Sequence, residues 1–514
     1  MKTSHLFTLI LSIFLLHQPA VAQIYFQKTY NSTGLNALTA VKQTTDDGFI
    51  MTGFVQNAFG DVDIVLIKTD IWGDTLWTTT YGGSGDDGGR DVVQTSDGGY
   101  IVTGFSTSVG DHIYVIKTDV WGAVTWSKSY GGPGSQEGES IMQTADGGYI
   151  ISGELFNGNT DLYLIRINAV GDTLWTRTGA TLAPSTRAYS VQETNDAGFV
   201  VTGYTANTSN DVYLIKLNSN GDTLWTRSYG GQFSDAGNCV RQTSDGGYII
   251  AGRSSSFSAG FSDVYLLKTD STGNEVWSKT YGNIGDDVTY SVTLANDGGY
   301  VLSGQTTNIS TGDVNAYLLK TDATGNVQWS RTYGGSGDDS FKSVVKTNDG
   351  GYAAAGYMSG TSGNVSGYLV KTNALGMVNC NASNLPVAEN TVATITGNSF
   401  NVTSTGGTVV STSQSTGSGV ISNTLCSGVS IDERTLSSPG ISPNPSEGIF
   451  KISFDKLLAE AEVNIYNIYG EKVSHQYIYN AKEEILNLRK VNPGIYLISI
   501  ISGDKQYSGR VVVK

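Results

Sequence analysis

The chain has 514 residues, among them 65 Gly and 8 Pro, with 15% charged residues. That length and apolar content allow several cores and exclude a disordered chain. A formal net charge of −15 argues against nucleic acid as a partner, because binding phosphates requires clustered Lys and Arg.

Residues 1–22 read as a secretory signal peptide: Lys2, an apolar stretch from Leu6 to Leu16, then Ala20-Val21-Ala22 as a small-x-small cleavage site. The mature chain is expected to begin at Gln23. No Cys follows that site, which argues against a lipoprotein anchor, and no later apolar run is long enough to span a bilayer.

Internal repetition dominates residues 23–380. The phrase Thr95-Ser96-Asp97-Gly98-Gly99-Tyr100-Ile101-Val102-Thr103-Gly104 recurs with its last Gly at Gly53, Gly104, Gly153, Gly203, Gly252, Gly304 and Gly356. These seven units of about fifty residues each predict four short strands and no helical periodicity. Strand A is the segment before the Asp-Gly-Gly turn and strand B the Tyr-Ile segment after it. Strand C is the apolar run exemplified by His112 to Thr118, and strand D carries a recurring Trp. A small sheet of this kind buries its faces only against its neighbours, which predicts an all-β, seven-bladed β-propeller.

Closure is expected at the N-terminus. The last unit lacks a strand D, having Cys380 where earlier units have Trp, while Phe26-Gln27-Lys28-Thr29-Tyr30 matches Trp329-Ser330-Arg331-Thr332-Tyr333. The first strand is therefore expected to complete the seventh blade and leave no long sheet edge. The order of elements resembles that of WD-repeat propellers, without their defining dipeptide. The Thr-x-Asp-Gly-Gly turn partly resembles the Asp-box of sialidase-type propellers, where Asp and Gly do a structural job.

Residues 381–440 are rich in Ser, Thr, Asn and Gly, which predicts a small β excursion followed by a linker. Cys380 and Cys426 flank it and are expected to pair in an oxidising compartment, whereas Cys239 sits at an apolar repeat position. Composition changes again at residue 441. Pro443-Asn444-Pro445, Gly448, Gly470, Gly494, Tyr496 and the terminal Lys514 stand in an order and spacing that resemble the type A sorting domain of type IX secretion substrates from Bacteroidetes-like bacteria. The resemblance implies that residues 441–514 form a small β-sandwich. It also implies recognition by the type IX secretion machinery, delivery to the cell surface or medium, and removal of the domain thereafter.

Catalytic residues are not assigned. Only His112 and His475 follow the signal segment, and His112 lies in a repeated strand, so a Ser-His-Asp triad or His-rich metal centre is not expected. No cofactor is required. Gly85-Asp86-Asp87, Gly285-Asp286-Asp287 and Gly337-Asp338-Asp339 offer oxygen ligands for Ca²⁺ but read first as turns.

Candidate binding residues are those where the repeat departs from itself on the face of the B-to-C and D-to-A loops. Before strand A stand Arg90, Glu139, Tyr189, Asn238, Tyr290 and Lys342; after the repeated Gly stand Glu154, Arg253 and Gln305. Mixed charge with Tyr suits a polar extracellular ligand, a glycan or peptide. The favoured function is a non-catalytic binding or scaffold protein. The alternative is a glycan-active hydrolase or lyase using Glu139 and Glu154, and a third reading is a purely structural surface protein.

Overall fold

The computed structural model describes residues 23–31, 36–179, 185–206, 209–307, 312–360 and 365–378, short strands between 382 and 430, and 440–513 with breaks at 445, 468–471 and 503–504. The signal segment, Cys380 with its expected pairing to Cys426, Pro445, Gly470 and Lys514 lie outside the described residues. Two compact units divide the chain, residues 21–429 and residues 430–514. The described residues are all-β, without a helix, and none therefore forms a helix long and apolar enough to cross a membrane.

The first unit holds many small antiparallel sheets: five of five strands and one of ten. Two meanders make up the ten-stranded sheet, joined through the single parallel pair Thr160↔Ser185. In the second repeat strands A to D are Asp87–Gln94, Tyr100–Ser106, His112–Thr118 and Val124–Gly131. Strands B and C are buried on both faces because neighbouring sheets cover them, which is why they read as continuous apolar runs.

The repeated phrase is a turn with a charge locked into it. Asp97 accepts hydrogen bonds from the Thr95 hydroxyl and the Gly99 N–H, and pairs with the buried Lys117 at 2.8 Å. Gly98 has a φ of 85°, a conformation that favours Gly and that Asp47 and Ala197 adopt in the first and fourth repeats, whereas a Cβ on Gly99 would sit 2.2 Å from the Thr118 carbonyl oxygen, so the Gly99 position accepts no side chain. The same Asp-to-base pair recurs at Lys68–Asp46, Arg166–Asp146, Lys216–Asp196, Lys268–Asp245, Lys320–Asp297 and Lys371–Asp349. This explains why the Asp and the second Gly of the phrase recur in every repeat, without assigning them a ligand.

Strand D faces the next repeat. Trp77 packs against Tyr100 in a tilted arrangement with ring centroids 5.8 Å apart and lies under Gly122, where a Cβ would meet it at 2.9 Å. Tyr81 donates a hydrogen bond to the Gly122 carbonyl at 2.6 Å. Tyr130 to Gly171, Tyr229 to Gly273, Tyr281 to Gly325 and Tyr333 to Gly376 repeat this bond. Where the third repeat has Gly179 in place of Tyr, Arg177 Nε donates to the Gly221 carbonyl at 2.9 Å instead. Seven hydrophobic clusters each join two repeats, and one of them unites Ala353, Ala355 and Leu369 of the last with Leu38, Val41 and Phe49 of the first.

Gln23–Asn31 pairs antiparallel with Val365–Thr372, in the register Phe26↔Lys371 to Tyr30↔Gly367. Phe26 and Tyr30 occupy the places of Trp and Tyr in the other D strands, and Tyr30 donates to the Gly73 carbonyl at 2.8 Å. Tyr81→Phe removes one such junction bond and keeps the ring. A loss of about 1 to 2 kcal/mol in urea unfolding is expected, and an unchanged midpoint would show that the bond contributes nothing.

The short strands between 382 and 430 pair with the edges of these sheets. Ala382–Asn384 joins Val327–Tyr333, Ala388–Thr391 joins Glu275–Gly282, and Ile395–Thr396 joins Thr223–Gly230. Val402–Thr403 joins Thr173–Gly179, Thr408–Ser411 joins Val124–Gly131, and Ser415–Gly417 joins Thr75–Gly82. Ile421–Ser430 lies beside Gln23–Asn31. The segment thus visits the repeats in reverse order and covers each strand D edge, the exposed backbone that otherwise invites intermolecular pairing.

The second unit is a β domain with one five-stranded sheet: Gly440–Ser442, Ile449–Asn467, Lys472–Asn487, Gly494–Ser502 and Lys505–Val513. Phe450, Ile452, Val463, Ile465, Ile498, Ile500 and Val511 form its core. Asn444 brackets the last strand, donating to the Arg510 carbonyl and accepting from the Val512 N–H. Gly448 has a φ of 86° and backs onto Arg489, while Tyr496 donates to the Asn492 carbonyl at 2.5 Å. Gly494 begins the fourth of these strands.

Candidate functional site

Strand A of every repeat carries a β-bulge, and the residue in it is the variable one. Register shifts fall at Leu38/Ala40, Gly89/Asp91, Gly138/Ser140, Ala188/Ser190, Gly237/Cys239, Thr289/Ser291 and Phe341/Ser343. The extra residues are Thr39 in the first repeat and then Arg90, Glu139, Tyr189, Asn238, Tyr290 and Lys342. These positions therefore lie within strand A and not before it. A bulge leaves its residue out of the ladder and re-aims its side chain, so one position per repeat varies while the sheet stays regular.

Repeats two to four bring charges together. Arg90 donates to Glu137 at 3.1 Å, and Arg187 forms an ion pair with the buried Glu154. Glu137 and Glu154 stand opposite each other on adjacent strands, a repulsive arrangement made tolerable by a base from each flanking repeat. Burial, the largest cause, raises the Glu139 carboxyl; Glu137 adds to the rise while Arg90 and Arg187 oppose it. Burial also pushes Glu154 up to about 7 against the pull of Arg187, with Glu139 and Glu137 adding to the rise. Tyr189 completes the group, its ring 5.9 Å from that of Tyr204.

Repeats six and seven form a second group. Lys342 Nζ lies 3.6 Å from the centroid of the Tyr290 ring and 5.5 Å from that of Tyr357. Tyr290 donates to Gln305 Oε1 at 3.2 Å. Burial first, and then Arg90, lowers the Lys342 ammonium to about 8. That interaction links the two groups across the first repeat, and Arg253 acts electrostatically on Tyr290 from the fifth. Asn238 is committed elsewhere, donating to the Thr289 carbonyl at 2.7 Å.

Glu137, Arg187 and Tyr204 belong to the site and were absent from the candidates drawn from sequence. The signal was present: the position two before the bulge is Ala37, Gly88, Ala236, Val288 and Ser340 elsewhere, and charged only at Glu137 and Arg187. Cys239 is buried within a hydrophobic cluster. In the Gly-Asp-Asp loops, Asp87, Asp287 and Asp339 each accept a hydrogen bond from the N–H four residues earlier, and Asp86 and Asp338 each accept one from the first residue of a strand C. These are turn contacts.

Residues 440–514 match the secretion system C-terminal sorting domain. Ulvan lyase NLR42 of Nonlabens ulvanivorans is 34% identical over 86 residues, 16% of this chain and 16% of that protein, so the similarity spans a small part of either. Among solved structures, Sqt1 from Chaetomium thermophilum is 10% identical, covering 64% of this chain and 81% of its own, with a TM-score of 0.40. A tail fiber of Staphylococcus aureus phage P68 is 9% identical, covering 49% and 53%, with a TM-score of 0.24. Neither is close enough to fix a fold or a function. The sorting domain makes the chain a type IX secretion substrate, exported to the cell surface or secreted, and recognised by that machinery.

Proposed function

We propose that residues 1–22 are a signal peptide, that the seven repeats form a β-propeller closed by the N-terminal strand, and that the bulge residues bind a polar extracellular ligand, a glycan or peptide, without turning it over. The observation that carries this reading is the division of labour within the repeat. Constant residues are consumed by turns and junctions, whereas Arg90, Glu139, Glu154, Tyr189, Tyr290 and Lys342 vary and gather. Charges of both signs beside Tyr rings supply hydrogen bonds and stacking faces together. Because the acids and bases already neutralise one another, the group suits recognition better than proton transfer.

Glycan and peptide arrays test this, together with the variant Arg90→Ala, Glu139→Ala, Glu154→Ala, Arg253→Ala. Loss of binding with the fold retained is expected. Normal binding by that variant, with loss on changing the Asp97 or Asp245 turns, would place the ligand on the opposite face.

One observation favours a second reading, a glycan-active hydrolase or lyase. Glu154, raised to about 7, is in the range suited to general acid–base work, and the sequence relative is an ulvan lyase by name. Release of reducing ends or unsaturated products from acidic polysaccharides, lost in Glu154→Gln, would establish it; binding without product would remove it.

A further inference from the structure

Three junctions between repeats hold two carboxylates face to face. Asp63, Asp211 and Asp263 stand first or second in strands C, and Asp87, Asp235 and Asp287 begin the strand A that follows. In each pair, Asp63 with Asp87, Asp211 with Asp235 and Asp263 with Asp287, oxygens of both residues come within 3.0 Å of where a Cβ on Gly82, Gly230 or Gly282 would sit. The glycine of Tyr-Gly is therefore required by the two acids. Asp87, Asp235 and Asp263 are wholly buried and Asp287 is 3% exposed.

The second Asp of each pair has its own work, accepting from Gly83, Gly231 or Asn283 N–H. Among the remaining oxygens, Asp63 Oδ2 accepts from Asn57 Nδ2 at 3.4 Å, Asp263 Oδ2 from the Ala259 N–H at 3.2 Å and Asp235 Oδ1 from the Ser256 N–H at 3.4 Å. Oδ1 of Asp63, Asp87, Asp211 and Asp263 is buried and accepts no hydrogen bond among the described residues. Leaving buried carboxylate oxygens unpartnered, beside a second carboxylate, is among the costliest arrangements in a protein interior. Beside Asp287, though not reaching Asp263, lies a cavity of about 10 Å³ lined mainly by Val264, Tyr281, Tyr317 and Leu319, with Asn283 and Thr306 as its other polar side chains, about the room one water occupies.

The molecule carries its own control. At the junction of repeats two and three the same two positions are His112 and Gln136, neither of them a carboxylate, and they bond directly, Nδ1 to Oε1 at 2.8 Å. The other junctions hold Asp161 with Thr186, Asn315 with Asp339 and Ser366 with Asn36, so a facing pair of acids is confined to three junctions. Two carboxylates can be joined only through something positive between them.

We propose that these three junctions each bind a divalent cation, Ca²⁺ by its preference for hard oxygen ligands. No three Asp, Glu, His or Cys side chains gather among the described residues, so backbone carbonyls and water complete each site. That ligand set places affinity in the range of extracellular modules, about 0.1 to 1 mM. Bridging strand C of one repeat to strand A of the next, the ion would tie repeats together and raise stability by mass action. This proposal is independent of any ligand at the bulge residues.

The full chain, stripped with a chelator and titrated with CaCl₂ alone at neutral pH, is expected to bind three equivalents calorimetrically and to melt higher. The variant Asp63→Asn, Asp211→Asn, Asp263→Asn is expected to lose that response while melting no lower than the stripped parent, because a like-charge pair is gone from each junction. The variant His112→Asp, Gln136→Asp creates a fourth pair and is expected to add one equivalent. A stripped parent indifferent to about 5 mM CaCl₂, well above the expected range, would mean that the pairs share protons and would overturn the proposal. Undiminished binding by the triple Asn variant, or no fourth equivalent in the double Asp variant, would overturn it equally.

Discussion

A chain lacking residues 23–31 is expected to melt well below the parent in the transition of its first unit. That strand is the only partner of Val365–Thr372 on one side among the paired strands of its sheet, and it brings Phe26 and Tyr30, both fully buried, into the cluster shared by the last and first repeats. Tyr25 contributes to the cluster of the sixth and seventh repeats. Lys28 pairs with Asp74, and Tyr368 donates to Gln27 Oε1. Deletion therefore opens a sheet edge and a core at once. Phe26→Ala isolates the core contribution and is expected to cost about 3 to 5 kcal/mol, and Tyr30→Phe, which removes only the bond to Gly73, about 1 kcal/mol. Urea unfolding separates these cases. A deleted chain melting like the parent would show that the repeats hold together without this strand.

The strands of the repeats were legible because each has a distinct physical signature. Strands B and C are buried on both faces and largely apolar; the turn between A and B needs Asp97 and Gly99 for reasons local to those residues. The strands between 382 and 430 were not legible as edge partners. They meet the sheets through backbone groups, which any residue supplies, and a Ser/Thr/Gly-rich segment has no apolar period to mark its register. The candidate site was legible in part for a related reason. Variation along the repeat marked Arg90, Glu139 and Lys342, whereas the bulge that sets them apart is a backbone event, and Glu137 and Arg187 were hidden by being two residues upstream of it.

The charged group makes its own prediction, worked through Glu154. Its carboxyl sits near 7 in the folded chain, against about 4.3 for an unperturbed Glu. A raised acid stabilises the fold when protonated, so its contribution is complete below about pH 4.3 and is lost as pH rises through about 7. Asp211, Asp263 and Asp339, each raised to about 6 with burial the largest cause, slope the same way. The difference between the parent and Glu154→Gln therefore isolates Glu154: it is expected to favour the parent most at about pH 4 and to decline through about pH 5 and 6 to a plateau above about pH 7. Arg187 supplies the second arm. Arg187→Met leaves Glu154 beside Glu137 and Glu139 with Arg90 as the remaining base, and is expected to cost about 2 to 3 kcal/mol at pH 8 and less at pH 5, where Glu154 holds a proton. Adding Glu154→Gln to Arg187→Met should restore most of that loss, since the buried charge left unpaired is removed with its partner. Equal losses at both pH values, or no recovery in the double variant, would mean that Arg187 stabilises the fold through its packing and not through Glu154.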